Sequence, residues 1–151
     1  KPFDETELRI RIENLLMLRR NLQARYRNEA ELSESLPEGF EKEDAFIAQF
    51  RQVVMDRLSD PTLNVTALTE ALLLSRTPLH NKIKALTGMS TTEFVRYIRL
   101  RRAQELLQDP QYNISEVAYA TGFQSLNYFS KRFRELTGMN PSEWRKEARG
   151  L

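Results

Sequence analysis

The sequence predicts an all-α protein, and two observations support this fold class. Along most of the chain apolar residues recur at steps of three and four, and no segment shows the alternation typical of a strand. The chain also contains an internal repeat: residues 64–71 are echoed by residues 113–120, at an offset of 49. Each copy runs through a turn into a basic amphipathic stretch that ends in Leu-Thr-Gly-Met, at residues 86–89 and 136–139. The offset there is 50, so the second copy has one extra residue in its turn.

Residues 4–26 are predicted to form one amphipathic helix. Asp4 can cap its start, with Glu7 three residues later. Leu8, Leu15 and Leu22 are spaced by sevens, which permits a short coiled coil. The alternative is that this apolar face packs on another domain. The residues leave both possibilities open.

Residues 27–43 are predicted to be an acidic linker. The stretch from residue 28 to residue 44 holds seven acidic residues and one basic residue, with Pro37 and Gly39 between them. This composition favours a solvated connection without packed structure.

Residues 44–151 are predicted to form the main domain. An apolar helix precedes Asp60-Pro61, and the two repeats give helices near 65–72 and 76–87, then 114–121 and 126–137. A long helix near 91–108 is apolar on more than one side, which predicts that it packs against both repeats. A last short helix carries Trp144 and follows Asn140-Pro141.

Helical spacing also predicts which apolar residues of the repeats face inward. The predicted inward residues are Val65, Leu68, Ala71, Leu72, Leu79, Ile83 and Leu86 in the first repeat, and Ile114, Val117, Ala118, Phe123, Phe129, Phe133 and Leu136 in the second.

Charge and composition narrow the possible functions. Residues 1–61 carry a net charge of −3 and residues 62–151 a net charge of +5, so the basic charge lies on the repeated half. The chain has no cysteine and a single histidine, and it lacks a glycine-rich phosphate loop and a recognisable carboxylate pair. We therefore expect neither an enzyme nor a metal or cofactor site. The absence of a long apolar run and of a signal peptide favours a cytoplasmic location.

Two short helices joined by a tight turn, with a basic second helix, are how many proteins present a helix to the DNA major groove. Arginine and lysine suit the acceptors of guanine, asparagine suits adenine, and apolar groups suit the thymine methyl. The outward residues of both second helices are of these types. The predicted DNA-contacting residues are Arg76, Thr77, His80, Asn81 and Lys84 in the first repeat, and Leu126, Asn127, Ser130, Lys131 and Arg134 in the second.

Each of these assignments has a plainer interpretation. Most short amphipathic helices with basic outer faces are simply solvated. Arg132, beside Phe133, fits a surface salt bridge as well as a phosphate contact. A helical protein–protein interaction or dimerisation module without DNA binding therefore stays as the rival function. A packing-only account, however, gives no reason for two similar basic helices.

Further spaced positions in this half resemble the AraC/XylS transcription regulators. The resembling motifs are Val117-Ala118-x-x-Thr121-Gly122-Phe123, Tyr128-Phe129-Ser130-x-x-Phe133-Arg134, Thr137-Gly138, Pro141-x-x-Trp144-Arg145 and, for the linker helix, Phe94-Val95-x-x-x-Arg99-Leu100-x-x-Ala103-x-x-Leu106-Leu107. The resemblance implies a seven-helix domain with two helix-turn-helix units, at about 64–88 and 113–138, bridged by a long helix. It also implies that the second helix of each unit enters the major groove of double-stranded DNA, on adjacent turns.

One position departs from the pattern of that family. Leu73 stands where the family often has glycine in the first turn, as Gly122 does in the second. Because leucine adopts a positive φ poorly, we expect a differently shaped first turn.

The start of the chain resembles the end of a two-component receiver domain. Lys1-Pro2-Phe3 followed by an acidic-capped helix carries this resemblance over residues 1–26. Together the two resemblances imply the output end of a hybrid two-component sensor, at its cytoplasmic end, with the phosphorylated aspartate upstream. The candidate partners are double-stranded DNA, a second copy bound through the 4–26 helix or an upstream domain, and RNA polymerase.

Overall fold

The structure is a computed structural model that describes residues 5–27 and 41–150. In those ranges it contains eight helices and no strand: α1 (Glu5–Arg27), α2 (Glu41–Asp56), α3 (Val65–Leu72), α4 (Arg76–Thr87), α5 (Thr91–Leu107), α6 (Ile114–Ala120), α7 (Leu126–Thr137) and α8 (Pro141–Ala148). The predicted all-α class is confirmed. Over the same ranges, no helix combines the length and apolarity needed to cross a membrane.

The helix starts are fixed by short-range capping. The side chain of Asn64 accepts a hydrogen bond from the Ala67 amide, and Asn113 forms a capping box with Glu116 at the equivalent place in the second repeat. Ser125 accepts from the Tyr128 amide at the start of α7. Because a cap satisfies backbone donors that the helix leaves free, these residues place the starts of α3, α6 and α7 where the sequence predicted them.

The buried side chains form two cores that share α5. The first core joins the end of α1 to α2, α3, α4 and the first half of α5, with Phe50, Leu79 and Phe94 fully buried. The second joins the remainder of α5 to α6 and α7, with Phe129 and Phe133 fully buried. The prediction that the long helix packs against both repeats is therefore confirmed.

The boundary of the predicted linker differs from the structure at its second end. Helix α2 begins at Glu41, so residues 41–43 are helical and not part of a linker. Asp44, counted among the linker acids, has a structural role because its carboxylate accepts two hydrogen bonds from Arg25, at 3.1 and 2.9 Å, and one from the Tyr26 hydroxyl at 2.8 Å. Residues 28–40, and the proposed cap Asp4, lie outside the described residues.

Helix α1 is attached to the domain by its last turns only. Tyr26 is fully buried, and the Arg27 Nε donates to the Thr87 carbonyl at the end of α4 over 2.6 Å. The preceding turns carry seven apolar side chains that are 40–65% exposed: Leu8, Ile10, Ile12, Leu15, Leu16, Met17 and Leu18. The predicted apolar face is thus uncovered in the described part of the chain.

The first turn corrects the expectation made for Leu73. This residue adopts the left-handed conformation, with φ 56° and ψ 39°, as Gly122 does with φ 88° in the second turn. The amides of Leu73 and Leu74 both reach the Thr69 carbonyl, which closes the end of α3, and the Leu73 side chain is 89% exposed. The two turns therefore begin alike, and the extra residue of the second repeat follows Gly122.

Most core predictions in the two repeats are correct. Leu68, Leu72, Leu79, Ile83 and Leu86 are buried in the first repeat, and Val117, Ala118, Phe123, Phe129 and Phe133 in the second. Val65, Ile114 and Leu136 are half-buried against these cores. Ala71 was predicted to face inward and is exposed. In α3 the buried residues are Leu68 and Leu72, four positions apart on one side of the helix, and Ala71 lies beside that side.

We predict that Leu73→Gly stabilises the chain by about 0.5–1 kcal/mol, because glycine avoids the left-handed penalty of an exposed leucine. The measurement is the urea midpoint followed by circular dichroism. Exposed Leu126, which lies in regular helix, provides the matched control, since Leu126→Gly should destabilise the chain instead. A lower midpoint for Leu73→Gly would contradict this account of the turn.

Candidate nucleic-acid interface

The five residues predicted to contact DNA in the first repeat are exposed along α4. An Arg76 guanidinium nitrogen donates to the Thr66 hydroxyl at 2.7 Å, and the His80 Nδ1 lies 2.7 Å from the Thr91 hydroxyl. Lys84 donates to the Gly88 carbonyl at 3.0 Å, at the end of its own helix. Thr77 and Asn81 make no side-chain hydrogen bond with another described residue. The exposed side of α4 therefore has some side chains held by hydrogen bonds within the protein and others whose polar groups face solvent.

The predicted residues of the second repeat lie along one side of α7. Leu126, Asn127, Lys131 and Arg134 are exposed, and Ser130 is half-buried. None of the polar side chains in this set is hydrogen-bonded to another described residue, so their donors and acceptors face solvent. Phe129 and Phe133, on the opposite side of α7, hold it in the second core. One side of α7 is thus polar and cationic, and its other side is packed in the core through aromatic side chains.

Arg132 makes the surface ion pair that its sequence context allowed. Its guanidinium lies 2.9 Å from the Glu135 carboxylate and also covers the ring of Tyr128, 5.2 Å from the centroid. Burial opposes ionisation of the Tyr128 hydroxyl, but the donors Arg132 and Arg96 outweigh burial and lower its pKa. Arg96 of α5 is the second donor, with its guanidinium 3.5 Å from that hydroxyl.

Arg99 is the charged residue that connects the two repeats. It is 7% exposed and donates one hydrogen bond to the Gly122 carbonyl at 3.0 Å and another to the Asp60 carbonyl at 2.8 Å. Gly122 belongs to the turn of the second repeat, and Asp60 precedes the first. Arg99 therefore ties α5 to both repeats at one point.

Burial of the Arg99 charge costs free energy. Burial lowers the pKa of Arg99, and its Nε has no hydrogen-bond partner in the described part of the chain. The Asp60 carboxylate is engaged by Thr62 and Arg57, whose hydrogen bonds lower its pKa to about 2. A guanidinium nevertheless stays protonated, so the site buries a positive charge stabilised by carbonyl dipoles.

The second turn has to accommodate this guanidinium at close range. A Cβ added to Gly122 would lie 1.8 Å from an Arg99 nitrogen and 2.6 Å from the Leu58 carbonyl oxygen. Gly122 is thus required both by its positive φ and by the approach of Arg99. At position 73 the side chain instead points into open solvent, which explains why leucine can stand there.

Within residues 5–27 and 41–150, no cluster of three or more His, Asp or Glu side chains could hold a metal ion. His80 contacts Thr91 and is exposed, without a carboxylate partner among the described residues.

Sequence reasoning did not assign a role to Arg96, Arg99 or Tyr128. All three positions belong to stretches that carried the family resemblance, but only Tyr128 lies next to predicted contact residues in the chain. Their importance comes from contacts between α5 and the second repeat, which are distant in sequence. For Arg99 the sequence signals were its place in the linker-helix motif and its charge among apolar residues of α5.

Comparison with known proteins decides the family. The family model of a helix-turn-helix domain matches residues 68–147, which cover most of both repeats and the helix between them. The chain belongs to the AraC-type helix-turn-helix family. Its family and fold are those of DNA-binding transcription regulators, and not those of enzymes.

Two curated relatives illustrate the range of proteins that carry such a domain. The chain is 36% identical over 144 residues to "Histidine kinase P4" of Formosa agariphila, covering 95% of this chain and 10% of that protein. It is 34% identical over 109 residues to the HTH-type transcriptional activator RhaR of Salmonella arizonae, covering 68% of this chain and 39% of that protein. The chain thus spans between a tenth and two fifths of the length of these relatives.

Solved structures agree with the fold. The DNA-binding domain of AdpA, in complex with a target DNA, matches with a TM-score of 0.62 at 26% identity, covering 68% of this chain and 92% of that one. The C-terminal domain of AraT, a response regulator from Geobacillus stearothermophilus, matches with a TM-score of 0.61 at 28% identity, covering 68% of this chain and 84% of that one.

We predict that Arg99→Met destabilises the AraC-type domain by roughly 1–3 kcal/mol, because two inward-facing carbonyls lose their donor. Arg102→Met in the same helix is the matched control, since Arg102 is partly exposed and paired with Glu105. Its cost should stay below about 1 kcal/mol. The measurement is the free energy of unfolding in urea, and equal costs for the two variants would contradict the bridging role of Arg99.

Proposed function

We propose that this chain is a sequence-specific DNA reader that places α4 and α7 in two successive major-groove segments on one face of the duplex. The observation that carries the proposal is that α4 and α7, each with an exposed polar and cationic side, are packed in two cores that share helix α5. Recognition helices on one face suit grooves about 34 Å apart, one helical turn of DNA.

The side chains on the exposed sides of α4 and α7 are of types that suit contacts with bases, with cations available for phosphates. Asn81 and Asn127 offer the bidentate amide that suits adenine, and Lys131 offers a donor for guanine. Arg76 is tethered at the start of α4 by Thr66, which orients its guanidinium before any DNA is bound. Leu126, exposed at the start of α7, suits the methyl group of thymine.

We further propose that the domain serves as the output end of a hybrid two-component sensor. The supporting observation is the match to "Histidine kinase P4", which extends over 95% of this chain and so includes α1 as well as the DNA-binding half. In such a sensor this domain would lie at the cytoplasmic end. Phosphorylation of the full-length protein should then change its affinity for the operator, and equal affinity in both states would contradict the proposal.

A second candidate function concerns α1, whose exposed apolar side chains suit association with another helix. A homodimer joined through α1 would present two such readers to one operator. Light scattering on the intact chain and on a Leu8→Glu, Leu15→Glu variant tests it: a dimer that the variant abolishes supports association, and a monomer at all concentrations contradicts it. Recruitment of RNA polymerase by the DNA-bound domain belongs to the same proposal of transcription regulation.

We predict that Asn81→Ala and Lys131→Ala each weaken binding to the selected operator by roughly 1–3 kcal/mol while changing random-sequence binding little, because they remove base contacts. The operator is selected from a random duplex library, and fluorescence anisotropy gives both affinities. Affinity for either duplex should fall steeply with salt, because phosphate contacts release counterions.

The matched control is Lys146→Ala, an exposed lysine on α8 that belongs to neither proposed reading helix. Equal losses on operator and random duplex would contradict the base-reading assignment. Salt-independent binding, or no binding to duplex, would favour the rival function of a protein interaction module.

A further inference from the structure

A cleft of about 480 Å³ separates the two repeats. One wall is formed by residues at the starts of α3 and α5, including Thr91 and Thr92, and the other by Gln124, Ser125 and Tyr128 at the start of α7. Its floor is apolar and includes Val95 and Phe123. The cleft is therefore built from both helix-turn-helix units and the helix that joins them.

The cleft lies next to both proposed reading helices, although no residue of α4 lines it. On one side, Thr91 contacts His80 of α4 over 2.7 Å. On the other side, Ser125 immediately precedes α7, and Tyr128 belongs to that helix. A duplex that engages α4 and α7 in successive major grooves would bring the strand that crosses between the grooves near this cleft.

The charged side chains that line the cleft are all positive among the described residues. Two of its lining side chains are cationic, Arg96 and Arg99, and no aspartate or glutamate lines it among the described residues. Arg99 is occupied by two carbonyls, whereas Arg96 makes no ion pair with a described carboxylate and is half-buried. Arg96 is thus a cation held at the cleft without a counter-charge in contact.

A second donor stands beside Arg96. The Tyr128 hydroxyl accepts from the Arg96 guanidinium at 3.5 Å, which leaves the hydroxyl proton free to donate. Arg132 covers the ring of the same tyrosine at 5.2 Å, with its own charge paired to Glu135 at 2.9 Å. The exposed hydroxyls of Thr92 and Ser125 lie on the two opposite walls. Donors of these types in one cleft suit a tetrahedral oxyanion.

We propose that this cleft binds a phosphate of the DNA strand that crosses between the two major-groove segments, with the Arg96 guanidinium and the Tyr128 hydroxyl as its principal donors. The site rests on the proposed DNA-reading function and deepens it. The phosphate supplies the counter-charge that Arg96 lacks, and the apolar floor accepts the adjoining sugar. A phosphate contact made where the two repeats meet would also favour DNA sequences whose backbone follows the required path between the two groove segments.

The test uses the intact chain and its selected operator. Each phosphate between the two reading segments is replaced in turn by an uncharged methylphosphonate, and affinity is measured by fluorescence anisotropy. For the unchanged chain we expect one or two central positions at which neutralisation weakens binding about tenfold, as for the loss of one charge-assisted hydrogen bond. Neutralisation at the neighbouring positions should change affinity less.

Variants of Arg96 connect that phosphate to the cleft. In Arg96→Met the same neutralisation should change affinity less than about twofold, and the slope of log K against log salt should fall by about one. Arg96→Lys should keep most of the slope, because it keeps the charge. Tyr128→Phe should weaken binding to a smaller degree, and Arg102→Met, in the same helix and outside the cleft, should keep the full sensitivity. The melting temperature of each variant shows that it is folded.

Two results would overturn the site alone: a scan without a sensitive central phosphate, or an Arg96→Met variant that keeps the full sensitivity while the operator is still bound selectively. The second result would leave the cleft open to a small organic ligand instead. A chain that binds no duplex would overturn the proposed function and this site together.

Discussion

The arrangement of the whole domain depends on the burial of one positive charge. Arg99 lies between the two cores and donates to a carbonyl in front of the first repeat and to another in the turn of the second. Buried charge is costly, but an apolar side chain in its place would leave the two carbonyls that bind it without a donor. Its directional hydrogen bonds define how the segment before the first repeat lies relative to the turn of the second, in addition to the apolar contacts of α5 and Leu136 with both cores.

For the proposed function, this arrangement would make the two proposed reading helices, α4 and α7, parts of one body. Helix α5 is apolar enough to enter both cores, and Arg99 fixes its contacts where the cores meet. Helix α1 adds a connection on the other side of the first repeat, since Arg27 bonds the carbonyl of Thr87 at the end of α4. Any partner of α1 would therefore act close to the far end of the first reading helix.

The sequence predicted well what local chemistry decides. The helices of the two repeats and the core faces of α4 and α7 followed from helical spacing, and the start of the last helix followed from Asn140-Pro141. The boundary at Glu41 was missed because its acidic composition suits a helix start as well as a linker. The shape of the first turn was also missed. A left-handed leucine costs only about 1–2 kcal/mol, which the two hydrogen bonds to the Thr69 carbonyl and an exposed side chain offset.

Features that depend on distant contacts could not be predicted in this way. Arg99 meets carbonyls 39 and 23 residues away, and the cleft beside Arg96 exists only once both repeats are folded. Gly122 shows the difference within one residue: its turn conformation was foreseeable, whereas the close approach of the Arg99 guanidinium required the fold.

The most direct test of a rigid two-unit reader is the spacing of its operator. A few base pairs are inserted, one at a time, between the two reading segments of the selected duplex, and affinity is measured for each length. A reader whose units are held by Arg99 should lose the contribution of one segment with the first inserted base pairs, down to the affinity of a duplex with a single segment. Affinity that stays the same across these insertions would contradict the account.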